Sequence, residues 1–188
     1  ALKKVILELG GADPYLILGD ADITHAVEQC VKARMLNAGQ VCVSPKRIIV
    51  HERILDAFIE QVKTKLSEYQ FGDPLSADCK LGPMAKFSLR DELHAQVQES
   101  IQKGAKCLLG GVMPEGEGNY YPATLLIDVK KGMPAYDEEL FGPVVAIISA
   151  SSEGEAIEIA NDSKYGLGAA IFSQDVQKAK DIAVHQID

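Results

Sequence analysis

Cys42 ends the run Asn37-Ala38-Gly39-Gln40-Val41-Cys42, with Glu8 34 residues before it and Glu139 97 residues after it. A thiol and two carboxylates are the parts of a covalent mechanism: a nucleophile for a carbonyl carbon, a base for water, and an acceptor for hydroxyl groups. Only the thiolate attacks, so the setting of the cysteine decides its use. Gly39 permits close backbone approach just past a helix end, and Gln40-Val41 then place Cys42 in a loop ahead of Pro45. Read by itself, a lone cysteine of this kind is more often a packed core residue. Glu8 stands near the end of the apolar run Val5–Leu9, directly ahead of Leu9-Gly10-Gly11. It is either a strand-end carboxylate bonded to backbone or a general base in a partly apolar setting. Glu139 and Phe141 belong to Glu138-Glu139-Leu140-Phe141-Gly142-Pro143. That segment is either an acidic turn before a strand or a carboxylate and ring that hold a sugar and a flat heterocycle.

The elements that must carry these residues alternate. Val5–Leu9 reads as a strand closed by two glycines. Asp20 and Asp22 supply an N-terminal cap for a helix whose apolar positions Ile23, Ala26, Val27, Cys30 and Val31 follow helical spacing and which stops near Asn37-Ala38-Gly39. Arg47–His51 is a strand, and Leu55, Phe58, Ile59, Val62 and Leu66 make a second amphipathic helix. Leu89, Leu93, Val97 and Ile101 define a third, ended by Gly104. Strands are predicted at 106–109, 123–129, 144–149 and 169–172. Ser152 with Glu155 opens a helix through Ile159, and Val176, Ala179, Ile182 and Ala183 form the last one. Such alternation predicts an α/β fold, a mainly parallel twisted sheet covered by helices.

With 188 residues, 47% hydrophobic and 24% charged, the chain fits a single domain with a sizeable core. Its formal charge of −8 argues against nucleic acid as a partner. No apolar run reaches the roughly 20 residues that cross a bilayer, and no signal peptide is recognisable. The four cysteines form no Cys-x-x-Cys and the four histidines are scattered, which argues against a metal site or a disulfide framework. Cys30 lies on a helical apolar face and reads as core, and Cys79 and Cys107 read as structural. The expected setting is reducing and cytoplasmic.

Taken in order and at these spacings, Glu8-Leu9-Gly10-Gly11, the Asn37–Cys42 run and Glu138–Pro143 resemble the signature of the aldehyde dehydrogenase superfamily, and the resemblance covers the whole chain. It implies that Cys42 is the nucleophile, with its backbone N–H helping to hold the oxyanion. It also implies that Glu8 activates the water that hydrolyses the thioester, with Gly10 as its hinge. Leu9 would offer its carbonyl to the nicotinamide carboxamide of NAD or NADP, Glu139 would bind the nicotinamide ribose, and Phe141 would support the ring. Residues 1–188 would be the catalytic domain of a homo-oligomeric enzyme. An upstream dinucleotide-binding domain and a C-terminal segment would be absent, leaving apolar surface exposed and these residues inactive alone. Gly72 to Pro83, Leu89–His94 and Met133–Asp137 resemble succinate-semialdehyde dehydrogenases. Some of those place an arginine before the Asn-x-Gly-Gln segment, where this chain has Leu36. Two other readings stand beside this one: an α/β binding or assembly module without activity, and a thiol esterase that needs no cofactor.

Overall fold

The computed structural model describes residues 2–188. Its six strands are β1 (Pro14–Ile17), β2 (Arg47–His51), β3 (Lys106–Leu109), β4 (Thr124–Ile127), β5 (Val144–Ala150) and β6 (Ala170–Phe172). They form one sheet in the order β3-β4-β5-β2-β1-β6, with every neighbouring pair parallel except β3 and β4. The helices are α1 (Ile23–Met35), α2 (Leu55–Leu66), α3 (Phe87–Gln102), α4 (Pro134–Asp137), α5 (Glu153–Asn161) and α6 (Val176–His185).

Alternation along the strands sends successive side chains to opposite faces. Leu16, Ile49, Val144, Ala146 and Ile148 meet apolar residues of α3, α4, α5 and α6 on one face. Ile17, Ile48, Val50, Val145 and Ile147 meet α1 and α2 on the other. A strand buried on both sides reads as a continuous apolar run, which is how β2 and β5 were legible. The mainly parallel, helix-covered sheet is therefore as expected.

Asp22 caps α1 by accepting from the His25 N–H, whereas Asp20 is drawn away to the Ser173 hydroxyl. The box at α5 is shifted: Ser152 Oγ accepts from Glu155 N–H, but the Glu155 carboxylate turns to Ser151. Gly104 ends α3 with φ of 113°.

Two expectations fail and one strand was not foreseen. Val5–Leu9 forms no strand; residues 2–10 carry no regular secondary structure, and Val5, Ile6 and Leu7 are 71%, 78% and 70% exposed. A strand is completed by a neighbour's ladder, and no described strand lies beside this run. The strand β1 was hidden by the turn-like Asp13-Pro14, yet proline at a first strand position removes no ladder bond from the positions that follow. The predicted strand 123–129 narrows to β4, because Asp128 takes a left-handed φ of 57°. Among the described residues, no helix is long and apolar enough to cross a membrane.

Candidate active site

Cys42 reaches its place through a tight reversal at the end of α1. Asn37, Ala38 and Gly39 take left-handed φ values of 51°, 53° and 72°. The Asn37 amide donates to Gln40 O, the Gln40 amide donates to Asn37 O, and Gln40 Oε1 accepts from Ala85 N–H at 2.8 Å. Ser44 N–H then closes a turn on Val41 O, with Cys42 half-buried inside it. Gly39 is required twice over. Its φ disfavours a side chain, and a Cβ there would run into the Gly142 carbonyl and stand 2.9 Å from Pro143 N. That contact presses the cysteine turn against the segment carrying Glu139 and Phe141.

Beneath the turn lie cations that the sequence reading passed over. Lys46, 2% exposed, donates from Nζ to Val41 O at 2.7 Å and Cys42 O at 2.6 Å, and pairs with Glu139 Oε1 at 3.1 Å. Burial pushes its ammonium below the ordinary lysine value, and Glu139 opposes that shift. Arg34, fully buried, donates to Val144 O at 2.6 Å, Ser44 Oγ at 2.9 Å, Leu140 O at 2.5 Å and Gly39 O at 3.4 Å. Burial lowers its guanidinium to about 9, against the pull of Glu139, so it stays charged at neutral pH. One side chain thus fastens both ends of the cysteine loop to the start of β5. Arg34 did leave a signal, since it continues the apolar stripe of Ala26, Val27, Cys30 and Val31, where a charge must find partners. Lys46 left none beyond its place beside Arg47.

Glu8, Leu9, Gly10, Cys42, Glu139 and Phe141 all line one cleft of about 840 Å³, together with Gln40, Gln96 and Tyr165. The six residues singled out from sequence are therefore neighbours in space. Glu139 Oε1 is buried and accepts no hydrogen bond of good geometry, its nearest charge being Lys46. The other oxygen packs so closely on Gly10 that a Cβ there would stand 2.5 Å from it. A carboxylate held in this way keeps acceptor capacity for a sugar's hydroxyls, and Phe141 sits beside it with Lys46 Nζ 5.8 Å from its ring centre. These residues fit the nicotinamide-ribose end of a dinucleotide. A glycine-rich phosphate loop is absent from the sequence.

One expectation changes here. Glu8 is exposed, so residues of this chain do not supply the partly apolar setting inferred for it. Leu36, at the position where an arginine would hold a substrate carboxylate, is 64% exposed. Cys30 is core as expected, fully buried with its thiol pushed up to about 12 by burial. Among the described residues no histidine lines the cleft, and no cluster of His, Cys, Asp or Glu could hold a metal ion.

Comparison with known proteins shows the family and the fold. Residues 1–186 match the model of the aldehyde dehydrogenase family. The chain is 49% identical over 183 residues to Sad, the NAD(P)+ succinate semialdehyde dehydrogenase of Escherichia coli strain K12, covering 97% of this chain and 40% of that protein. It is 41% identical over 182 residues to the NADP+ succinate-semialdehyde dehydrogenase of Deinococcus radiodurans, covering 97% and 38%. The solved structure of lactaldehyde dehydrogenase from Escherichia coli superposes with a TM-score of 0.90 at 36% identity, covering 96% of this chain and 38% of that one. The chain thus spans about 40% of the length of the relatives it matches.

Proposed function

The chain belongs to the aldehyde dehydrogenase family, and we propose on that premise that it is the catalytic domain of an NAD- or NADP-dependent enzyme that oxidises an aldehyde, with succinate semialdehyde as substrate. The observation that carries this reading is the convergence of Cys42, Glu8, Glu139 and Phe141 on one cleft from three separate stretches of chain. The substrate rests on the names of the two relatives described above.

When bound, the dinucleotide supplies the acceptor for the hydride given up by the aldehyde carbon. This chain's residues do the remainder. Cys42 thiolate adds to the carbonyl carbon, forming a C–S bond while the carbonyl pair moves onto oxygen, where the Cys42 N–H meets it. Glu139 would accept the ribose hydroxyls, Phe141 would support the nicotinamide ring and Leu9 would offer its carbonyl to the carboxamide. Gly10 leaves room for Glu8 to turn toward the thioester. Glu8 then takes a proton from water as the water's oxygen attacks, the C–S bond breaks, and the carboxylic acid leaves with the thiol restored. A carboxylate base in the cleft favours hydrolysis over transfer of the acyl group to another thiol. An exposed Glu8 suits a base that swings in, and the apolar setting is expected from the dinucleotide-binding domain. The substrate's carboxylate is held by groups other than Leu36.

These 188 residues alone are expected to turn over no aldehyde, because the phosphate and adenosine contacts of the dinucleotide are not among them. The test is succinate-semialdehyde-dependent dinucleotide reduction by the enzyme carrying both domains. Loss of turnover in Cys42→Ala, and build-up of an acyl-protein adduct in Glu8→Gln seen by intact mass spectrometry, are the expected results. Turnover that survives Cys42→Ala removes the cysteine from the mechanism, and activity with other aldehydes alone removes the substrate.

A further inference from the structure

Lys46 is buried beneath the cysteine turn, where its ammonium donates to two backbone carbonyls, Val41 O at 2.7 Å and Cys42 O at 2.6 Å, and forms an ion pair with Glu139 Oε1 at 3.1 Å. Long flexible side chains rarely give up their freedom to sit in such a place, and a buried ammonium survives there only if its charge is met. The consequence for the backbone follows from peptide planarity. The Val41 carbonyl and the Cys42 N–H belong to one trans peptide, so they point in opposite directions. With the carbonyl drawn inward onto Lys46, the N–H of Cys42 is turned outward. Among the described residues it finds no acceptor in the fold, whereas the neighbouring Ser44 N–H is used by Val41 O at 3.1 Å. An unpaired N–H beside a cysteine that lines the cleft is a donor held for something that arrives. A positive charge on the carbonyl end of the same peptide also strengthens its N–H as a donor, since linked hydrogen bonds polarise one another.

We propose that Lys46 is a positioning residue that fixes and polarises the Cys42 peptide so that its N–H meets the oxyanion formed when Cys42 attacks a carbonyl. The proposal rests on Cys42 being the nucleophile. It also links the two halves of the site, because the same ammonium that orients the peptide holds Glu139. The oxyanion donor and the sugar-binding carboxylate thereby share one buried charge. Lys46 touches neither substrate nor dinucleotide and acts through the backbone of Val41 and Cys42.

The test separates two reactions of one thiol on the 188-residue protein, neither of which needs a dinucleotide. Acylation by p-nitrophenyl acetate passes through a tetrahedral oxyanion: the thiolate forms a C–S bond and p-nitrophenolate leaves as its C–O bond breaks. Alkylation by iodoacetamide is a direct displacement of iodide with no oxyanion. Removing one oxyanion donor typically costs about 100-fold or more. Lys46→Met is therefore expected to slow acylation by roughly 30- to 100-fold while alkylation changes by less than about threefold. A purely structural lysine would move both rates together or neither, and either of those results overturns the proposal. If Lys46→Met does not fold, as judged by circular dichroism, Lys46→Gln carries the comparison. It keeps a neutral donor, and charge-assisted bonds are roughly twice as strong as neutral ones, so acylation falls by about tenfold and alkylation holds. A wild-type protein that alkylates at Cys42 but is not acylated there, with Cys42→Ala as the blank, refutes the nucleophile reading and this proposal with it. Selective loss of acylation in a protein whose wild type acylates normally supports both.

Discussion

Substituting Gly39 by alanine probes the junction on which the whole site depends. Two costs add there. The left-handed backbone at φ of 72° disfavours a Cβ by roughly 1–2 kcal/mol. The new methyl also collides with the Gly142 carbonyl and approaches Pro143 N, both main-chain groups at the start of β5 that cannot turn aside as a side chain would. Overpacking of that kind costs about 1–3 kcal/mol. Gly39→Ala should therefore destabilise the protein by about 2–5 kcal/mol, against a total stability of about 5–15 kcal/mol for a natural domain. Gly132 supplies the control: its φ is 92°, but a Cβ there meets nothing within 4 Å. Gly132→Ala should lose only the backbone part, roughly 1–2 kcal/mol. With a urea dependence near 2 kcal/mol per molar, the midpoints should fall by about 1–2.5 M and about 0.5–1 M respectively. Urea titrations followed by far-ultraviolet circular dichroism read both values. Equal shifts for the two variants would show that the Gly39–Gly142 contact carries no energy, and the account of how the cysteine turn is seated would fail. The same variant should slow Cys42 acylation, since relief of the collision moves the turn away from the Glu139 segment.

Three further outcomes are expected. Cys30, fully buried with its thiol pushed up to about 12, should resist iodoacetamide at pH 8 in the native state and react only in denaturant, as peptide mass spectrometry can establish. Burial chiefly raises the Asp13 carboxyl above its ordinary 3.8, against the bond it accepts from Gly168 N–H and the nearby Lys46 and Arg47. An acid raised on folding binds its proton more tightly when folded, so its contribution is fully present below 3.8 and is lost as pH rises through the folded value. Asp13→Asn should consequently gain on wild type as pH is taken from about 3.5 to 7; a constant difference across that range would contradict the sign. Finally, Leu2, Val5, Ile6, Leu7 and Leu9 expose a run of apolar surface that favours self-association. Light scattering should show mass rising with concentration and falling back when Val5 and Leu7 are replaced by lysine, whereas a clean monomer throughout would refute it.

Much of this protein is written locally. Apolar spacing placed α1, α2, α3 and α6, because a helix buries one stripe every three or four residues whatever else the chain does. Continuous β-branched runs marked β2 and β5, because central strands of a covered sheet are apolar on both faces. The motifs around Glu8, Cys42 and Glu139 are each weak alone; their order and spacing resemble the aldehyde dehydrogenase signature, and it is that resemblance that implies carbonyl chemistry. Tertiary structure decided what depends on partners distant in sequence. Val5–Leu9 has the composition of a strand and no ladder to join, while Pro14–Ile17 has a turn-like start and becomes a strand because β2 and β6 flank it. Six candidate residues from three stretches came to line one cleft only when the reversal at Gly39 met Gly142 across the fold. Lys46 looks like an ordinary surface cation in sequence, and Arg34 is marked only by its place on the apolar stripe of α1. Their role appears only where the fold removes water and surrounds them with backbone carbonyls, the Ser44 hydroxyl and the Glu139 carboxylate, for a buried charge takes its meaning from the groups that replace its solvent.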